Sequence, residues 1–155
     1  MSCDRFRHNR HVRVVVQRVR RATVKVDGAV VAACDTGLLV LLGIAADDTE
    51  AEAARMAARV ARLRIFENDG GKLDLAVADA GGEILVVSQF TLIADTRKGS
   101  RPSFAGAARP EVAEPLYERF CRALRDDGLR VATGRFGARM EIELVNDGPV
   151  TIVLN

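Results

Sequence analysis

Alternating and continuous apolar runs dominate the first third of the chain and predict β-strands. The β-branched run VRVVVQRV at 12–19 has the composition of a strand, and residues 22–26 and 29–33 flank Asp27-Gly28 as a hairpin. The unbroken apolar run LLVLLGI at 38–44 predicts a strand that is buried on both faces. Such a strand should be central in its sheet.

Helical periodicity appears in two later segments. Thr49 and Glu52 have capping-box spacing ahead of apolar residues at steps of three and four, which predicts a helix over about 50–66. A second helix is indicated by the same spacing of Ala113, Leu116, Phe120 and Leu124. We expect Pro115 in its first turn and Gly128 at its end.

Three further segments predict strands and complete the order of elements. They cover 84–93, 139–145 and 150–154, and the last two are separated by Asn146-Asp147-Gly148-Pro149. The order of these strands and helices predicts a single α/β domain over 12–155. We expect mixed, largely antiparallel sheets in a barrel-like arrangement, with two main helices packed outside.

Composition and charge narrow the classes of partner. With 155 residues, of which 48% are hydrophobic, the chain has the size of one domain with a substantial core. No apolar run has the roughly 20 residues that cross a bilayer, and the N-terminus lacks a secretory signal, so we expect a cytoplasmic protein. Residues 12–155 hold 20 basic and 20 acidic residues, so contact with RNA phosphates requires a local cluster of charge.

Several kinds of catalytic site are disfavoured by the residues that are missing. Both histidines fall within residues 1–11, a polar stretch that we expect to be a disordered extension or a start-site artefact. Residues 12–155 therefore contain no imidazole for a Ser-His or Cys-His pair. The three cysteines have no metal-ligand spacing, and Cys34 and Cys121 are expected to be buried. We therefore expect neither a disulfide framework nor a zinc site.

A cluster of polar groups in a strand predicted to be buried is the first candidate site. It contains Ser88, Gln89, Phe90 and Thr91. These groups either bond to neighbouring strands or line a ligand pocket, because buried polar groups need partners. If Ser88 or Thr91 were a nucleophile, its base would have to be an acid or lysine such as Asp95 or Lys98, so a covalent mechanism is not favoured.

A short basic loop follows this strand. It carries Arg97, Lys98 and Arg101 close to Gly99 and Pro102. The loop is either a solvated surface segment or a place where phosphates bind, and its position directly after the polar strand adds weight to the second interpretation.

Gly148-Pro149 is the third candidate. A Gly-Pro step at this position is either a plain turn or a rigid backbone feature with a cis bond, which costs only about 0.5–1 kcal/mol before proline. Two successive carbonyl groups held on the same side could then distinguish the two configurations of a substrate carbon.

Short motifs in a fixed order carry a resemblance to a known family. They are SQFTL at 88–92, RPSF at 101–104, NDGPVT at 146–151, QRV at 17–19, GLLVLLG at 37–43, RIF at 64–66 and TGRF at 133–136. Together they resemble the signature segments of D-aminoacyl-tRNA deacylases, also called D-tyrosyl-tRNA deacylases. The likeness spans Val12 to Leu154.

The resemblance implies a homodimer that removes D-amino acids, and also glycine, from tRNA by ester hydrolysis. Gly148-Pro149, in cis, would enter the partner's pocket and hold the substrate's α-amino group, with Val150 and Thr151 beside it. Residues 88–91 would line the pocket, with backbone N–H groups around Phe90 and Thr91 facing the ester carbonyl. The resemblance also implies that the 2′-hydroxyl of the terminal adenosine assists attack by water, without metal or cofactor.

Two other functions stay open from the residues alone. One is a non-catalytic RNA-binding module that uses Arg97, Lys98 and Arg101. The other is a conventional hydrolase with Thr91 as the nucleophile.

Overall fold

The computed structural model of the protein describes residues 11–155. The expected disordered extension over 1–11 therefore lies, apart from His11, outside the described residues. The elements are β1 (Arg13–Val26), β2 (Ala29–Cys34), β3 (Gly37–Gly43), α1 (Glu50–Arg62), β4 (Phe66–Glu67), β5 (Leu73–Leu75), β6 (Glu83–Ser88), a 3₁₀ helix (Phe90–Ile93), α2 (Pro110–Asp126), β7 (Val131–Thr133) and β8 (Glu141–Leu154).

β1 is a long strand around which the other strands are arranged. Its side chains alternate between core and surface, and Val14, Val16 and Val24 are fully buried. Its first half pairs antiparallel with β3 and its second half with β2, while β8 pairs with both halves. The predicted strand 12–19 and the hairpin arm 22–26 are thus one strand, because β8 spans the join.

The predicted architecture is confirmed. The main sheet has the order β2-β1-β3-β6-β7, with β8 on the other side of β1, and β4 pairs with β5 separately. The pairs β3-β6 and β6-β7 are parallel, and the remaining pairs are antiparallel. The sheet curls into a nearly closed, barrel-like form, which brings β2 near β6 and β7.

β8 is also a single strand, which corrects the prediction of separate strands over 139–145 and 150–154. Both halves pair with β1, and the register shifts where residues 147–150 leave the ladder opposite Arg18. The turn residues in this segment indicated a break in the sequence. Pairing of both halves with one long neighbour keeps them in one strand.

Apolar side chains fill both faces of the sheet. On one face, Leu38 and Val40 belong to a core that α1 and α2 cover. On the other face, Leu39 and Leu85 belong to a second core, against which Met140 packs. The prediction that the strand at 38–44 is central and buried on both faces is confirmed.

The start of α1 agrees with the prediction, but its end does not. The backbone N–H of Glu52 donates to Oγ1 of Thr49 at 3.3 Å, as the capping-box spacing predicted. The helix ends at Arg62 instead of residue 66, because Leu63 has an extended ψ of 125° and Phe66 joins β4.

The proline assignment in α2 is wrong. Pro110 occupies the first turn, where a missing N–H costs nothing, and Pro115 lies inside the helix with its ring exposed. Gly128, with a φ of +84°, follows the last helical residue Asp126, so its predicted place at the helix end is confirmed. Within residues 11–155, neither helix combines the length and apolarity needed to cross a membrane.

Candidate functional site

A pocket of about 550 Å³ opens where β6 ends, between the start of α2 and residues 136–142. Its walls are mainly apolar and include Ile44, Val87, Ala108, Ala113, Met140 and Ile142. Polar groups come from Ser88 and Gln89 at the end of β6 and from Arg109 at the N-cap of α2. An apolar pocket with a few converging polar groups is typical of a site for a small ligand or for one end of a larger one.

β6 brings the predicted site residues to this pocket and then ends. The strand predicted over 84–93 stops at Ser88, and Phe90–Ile93 form a 3₁₀ helix instead. Gly43 permits this turn, because a Cβ there would lie 3.0 Å from the carbonyl oxygen of Gln89. The strand ends here because β3, its neighbour, ends at the same level.

The turn separates the four predicted residues. Ser88, Gln89 and Phe90 line the pocket, but Thr91 does not. Thr91 is exposed, and its hydroxyl accepts a hydrogen bond from Nε2 of Gln89. The backbone N–H groups of Phe90 and Thr91 lie at the start of the 3₁₀ helix, where N–H groups have no partner within the helix.

Two aromatic rings form the rim of the pocket. The rings of Phe90 and Phe104 meet edge to face with their centroids 5.2 Å apart. Phe90 is 55% exposed and Phe104 is 37% exposed. Backbone hydrogen bonds between Asp95 and Ser103, at 2.7 and 2.8 Å, bring Phe104 next to Phe90. RPSF and SQFTL, which are separate in sequence, therefore meet at one edge of the pocket.

The basic loop lies between these two motifs. Arg97 donates from Nε and from a terminal nitrogen to the two carboxylate oxygens of Asp95, at 2.9 and 2.6 Å. These bonds hold the pKa of Asp95 down to about 2, so this carboxylate is a weak base. Lys98 and Arg101 are exposed in the same loop. The charge that the loop offers to phosphates comes mainly from these two residues.

Gly148-Pro149 is cis, as the family resemblance implied, and it lies exposed in the bulge of β8. It does not line the pocket formed by residues 88–90 of its own chain. The same holds for Val150 and Thr151. Within one chain, the structure therefore does not bring the two groups of predicted site residues together.

Polar contacts within β8 hold the two ends of the bulge together. Oδ1 of Asn146 accepts a hydrogen bond from the backbone N–H of Val150 at 3.2 Å. Nδ2 of the same Asn146 donates to Oγ1 of Thr151 at 3.0 Å. The Asn146 side chain thus links the residues before and after the cis peptide bond.

Arg18 is a residue of this region that the sequence analysis missed. It is 5% exposed, and it donates to the carbonyl oxygen of Asp147 at 3.1 Å and to that of Ile65 at 2.9 Å. Its guanidinium also lies 3.6 Å from the carboxylate of Asp147. The period-two pattern that buries Val14 and Val16 would have placed Arg18 on the inward side, and a buried arginine needs a partner of this kind.

The cysteines agree with the prediction. Cys34 and Cys121 are both buried, and burial raises the pKa of each thiol to about 11. Both thiols are therefore protonated near neutral pH and are poor nucleophiles.

Comparison with known proteins gives a consistent result for nearly the whole chain. The family model described as D-Tyr-tRNA(Tyr) deacylase matches residues 15–155. A D-aminoacyl-tRNA deacylase of Anaeromyxobacter dehalogenans is 60% identical over 144 residues, which is 93% of this chain and 97% of that protein. A D-aminoacyl-tRNA deacylase of Brevibacillus brevis is 57% identical over 92% of this chain and 99% of its own length.

Two solved structures share the fold. A protein described as a c-Myc DNA unwinding element binding protein superposes with a TM-score of 0.87 at 44% identity, covering 92% of this chain and 97% of its own. A probable eukaryotic D-amino acid tRNA deacylase superposes with a TM-score of 0.80 at 20% identity, covering 92% of this chain and 98% of its own. The second likeness concerns the fold alone.

Proposed function

Because the chain belongs to the D-Tyr-tRNA(Tyr) deacylase family, we propose that it hydrolyses the ester joining a D-amino acid to the 3′ end of tRNA. The observation that carries the proposal is identity of 54–60% to curated deacylases over more than nine-tenths of the chain. The pocket at the end of β6 supports it, because the SQF residues of the motif SQFTL line that pocket. Glycine, which has no side chain to distinguish isomers, is a further expected substrate.

In the proposed reaction, water attacks the ester carbonyl inside this pocket. The backbone N–H groups of Phe90 and Thr91, at the start of the 3₁₀ helix, stabilise the negative charge that develops on the carbonyl oxygen. The family resemblance implies that the 2′-hydroxyl of the terminal adenosine takes part in activating water, and the lack of a histidine base in residues 12–155 agrees with this. The leaving group is the 3′-hydroxyl of the tRNA, and the products are a free amino acid and tRNA.

The chirality of the substrate is read by Gly148-Pro149 of a second copy of the chain. This step is exposed at the bulge of β8 and lies outside the pocket of its own chain. A homodimer in which each bulge enters the partner's pocket brings the two groups of site residues together. Backbone groups there hold the α-amino group and leave no room for an L side chain, so one pocket serves many D-amino acids.

A non-catalytic nucleic-acid-binding module is the second candidate. The name of the structure that is 44% identical describes binding to DNA, and Lys98 and Arg101 are exposed beside the pocket. This candidate requires salt-sensitive binding of tRNA without cleavage of the ester.

We also propose a cytoplasmic location, which agrees with a tRNA substrate.

The decisive experiment compares D-Tyr-tRNA and L-Tyr-tRNA as substrates of the purified full chain, with and without a chelator. Release of tyrosine from the D ester alone, unaffected by the chelator, is the expected result. Binding of tRNA without release from the D ester would favour the second candidate. Equal release from both isomers would show that Gly148-Pro149 does not discriminate between D and L substrates.

A further inference from the structure

A second groove, next to the candidate pocket, carries arginines on its walls. It has a volume of about 580 Å³ and runs between α2 and residues 133–136. Arg122 and Arg125 on α2 and Arg135 on the facing segment line it. We propose that this arginine groove binds backbone phosphates of tRNA a few nucleotides from the aminoacyl ester. The inference rests on the proposed function and adds a binding surface to it.

The groove adjoins the candidate pocket. Phe136 lines both, and its ring centroid lies 5.8 Å from that of Tyr117, which lines the groove. The hydroxyl of Tyr117 donates to the carbonyl oxygen of Val86 at 2.9 Å, so this wall is fixed to β6. An RNA strand that leaves the pocket on the side of Phe136 meets the arginine groove next.

The spacing along α2 fits a phosphate chain that begins at the pocket. Ala113 lines the pocket, while Arg122 and Arg125 lie 9 and 12 residues further along the same helix. At 1.5 Å per residue, these positions are about 13 and 18 Å from that edge of the pocket. Such distances are long enough to reach backbone phosphates a few nucleotides from an ester that lies in the pocket.

The segment that contains the three arginines is more basic than the rest of the chain. Residues 119–139 contain six arginines and two aspartates, whereas the remainder of 12–155 contains 14 basic and 18 acidic residues. Glu114 and Glu118 also line the groove, on the turns of α2 that precede the arginines. Phosphates are therefore expected in the half of the groove formed by Arg122, Arg125 and Arg135.

The three arginines are available to an anion. Their side chains are exposed, and none of them takes part in an ion pair within residues 11–155. Arg125 donates one N–H to the carbonyl oxygen of Val131 at 3.1 Å, which orients its guanidinium and leaves other donors. In contrast, Arg97 of the basic loop is bound by both oxygens of Asp95.

The test uses the full-length double variant Arg122→Ala/Arg135→Ala and a matched control that also loses two exposed arginines, Arg55→Ala/Arg62→Ala on α1. Affinity for non-acylated tRNA is measured over a series of salt concentrations. If two phosphate contacts are lost, the affinity at 0.1 M salt should fall roughly 25- to 60-fold, and the salt slope should decrease by about 1.4–1.8. The control should bind like wild type, and Arg122→Lys/Arg135→Lys should retain most of the affinity.

Two substrates separate this inference from the proposed function. Cleavage of D-Tyr-tRNA at low substrate concentration should fall with affinity in the double alanine variant, while cleavage of the D-tyrosyl ester of adenosine should not change. Equal tRNA affinity and equal salt slope for wild type and the double alanine variant would overturn the arginine groove. Failure of the wild type to cleave either ester would instead refute the proposed function, and the binding comparison would still decide the groove.

Discussion

At the scale of single residues, Thr91 shows how a hydroxyl in a site motif can lie outside the site. Its neighbours Ser88, Gln89 and Phe90 line the pocket, while its own side chain faces outward and accepts a hydrogen bond from Gln89. Asp95, a possible base, is held as a weakly basic carboxylate by Arg97. These contacts favour hydrolysis by water over attack by Thr91.

We predict that Thr91→Ala keeps kcat/KM for D-Tyr-tRNA within a factor of about 3, because only one exposed hydrogen bond is lost. Single-turnover kinetics would check this, with Thr91→Ser as the variant that retains a hydroxyl. A loss on the order of 10⁴-fold in the alanine variant, restored by serine, would identify Thr91 as the nucleophile.

At the scale of elements, the bulge of β8 depends on a glycine. Gly148 has a φ of +125°, and a Cβ there would lie 2.9 Å from Cγ2 of Val150 and 3.2 Å from the guanidinium of Arg18. Arg18 holds the bulge against β1, and the backbone N–H of Val150 bonds to Asn146 across the bulge. An added methyl group would therefore shift the bulge and the Arg18 contacts together.

We predict that Gly148→Ala lowers the free energy of unfolding by about 1–3 kcal/mol and removes most cleavage of D-Tyr-tRNA. Urea unfolding and kcat/KM measure the two effects. Gly71→Ala is the matched control, because Gly71 also has a positive φ, of 79°, but no atom lies within 4 Å of its added Cβ. Normal activity of a folded Gly148→Ala protein would exclude the bulge from the site.

At the scale of the whole molecule, one chain contains a pocket and a bulge that do not meet. The pocket lies at the end of β6, and the exposed Gly148-Pro149 lies outside it. In a two-fold dimer, the bulge of each chain can enter the pocket of the other chain, which gives two equivalent sites. The proposed site is then a property of the assembly.

Complementation between two inactive variants tests this arrangement. Ala138→Trp fills the pocket of one chain, and Gly148→Ala damages the bulge of the other. Co-expressed chains that pair at random should recover about a quarter of wild-type activity, because half of the dimers have one intact site. No recovery in verified mixed dimers would show that each site is built within one chain.

Local pattern was sufficient for much of the fold. The N-cap of α1 at Thr49, the two-sided burial of β3 and the end of α2 near Gly128 all follow from periodicity and cap chemistry, which act over a few residues. The family resemblance rested on short motifs, whose order along the chain was enough to identify the family. The candidate residues 88–90 also came from local pattern, because polar groups after an apolar run are visible in sequence.

Long-range pairing accounts for what local pattern did not reveal. The joining of two predicted strands into β8 depends on its pairing with β1, and the short strand β7 forms because β6 offers an edge. The outward position of Thr91 depends on the close approach of Gly43, and the partners of Arg18 lie 47 and 129 residues away. Contacts between distant segments are set when the chain packs, so no local periodicity encodes them.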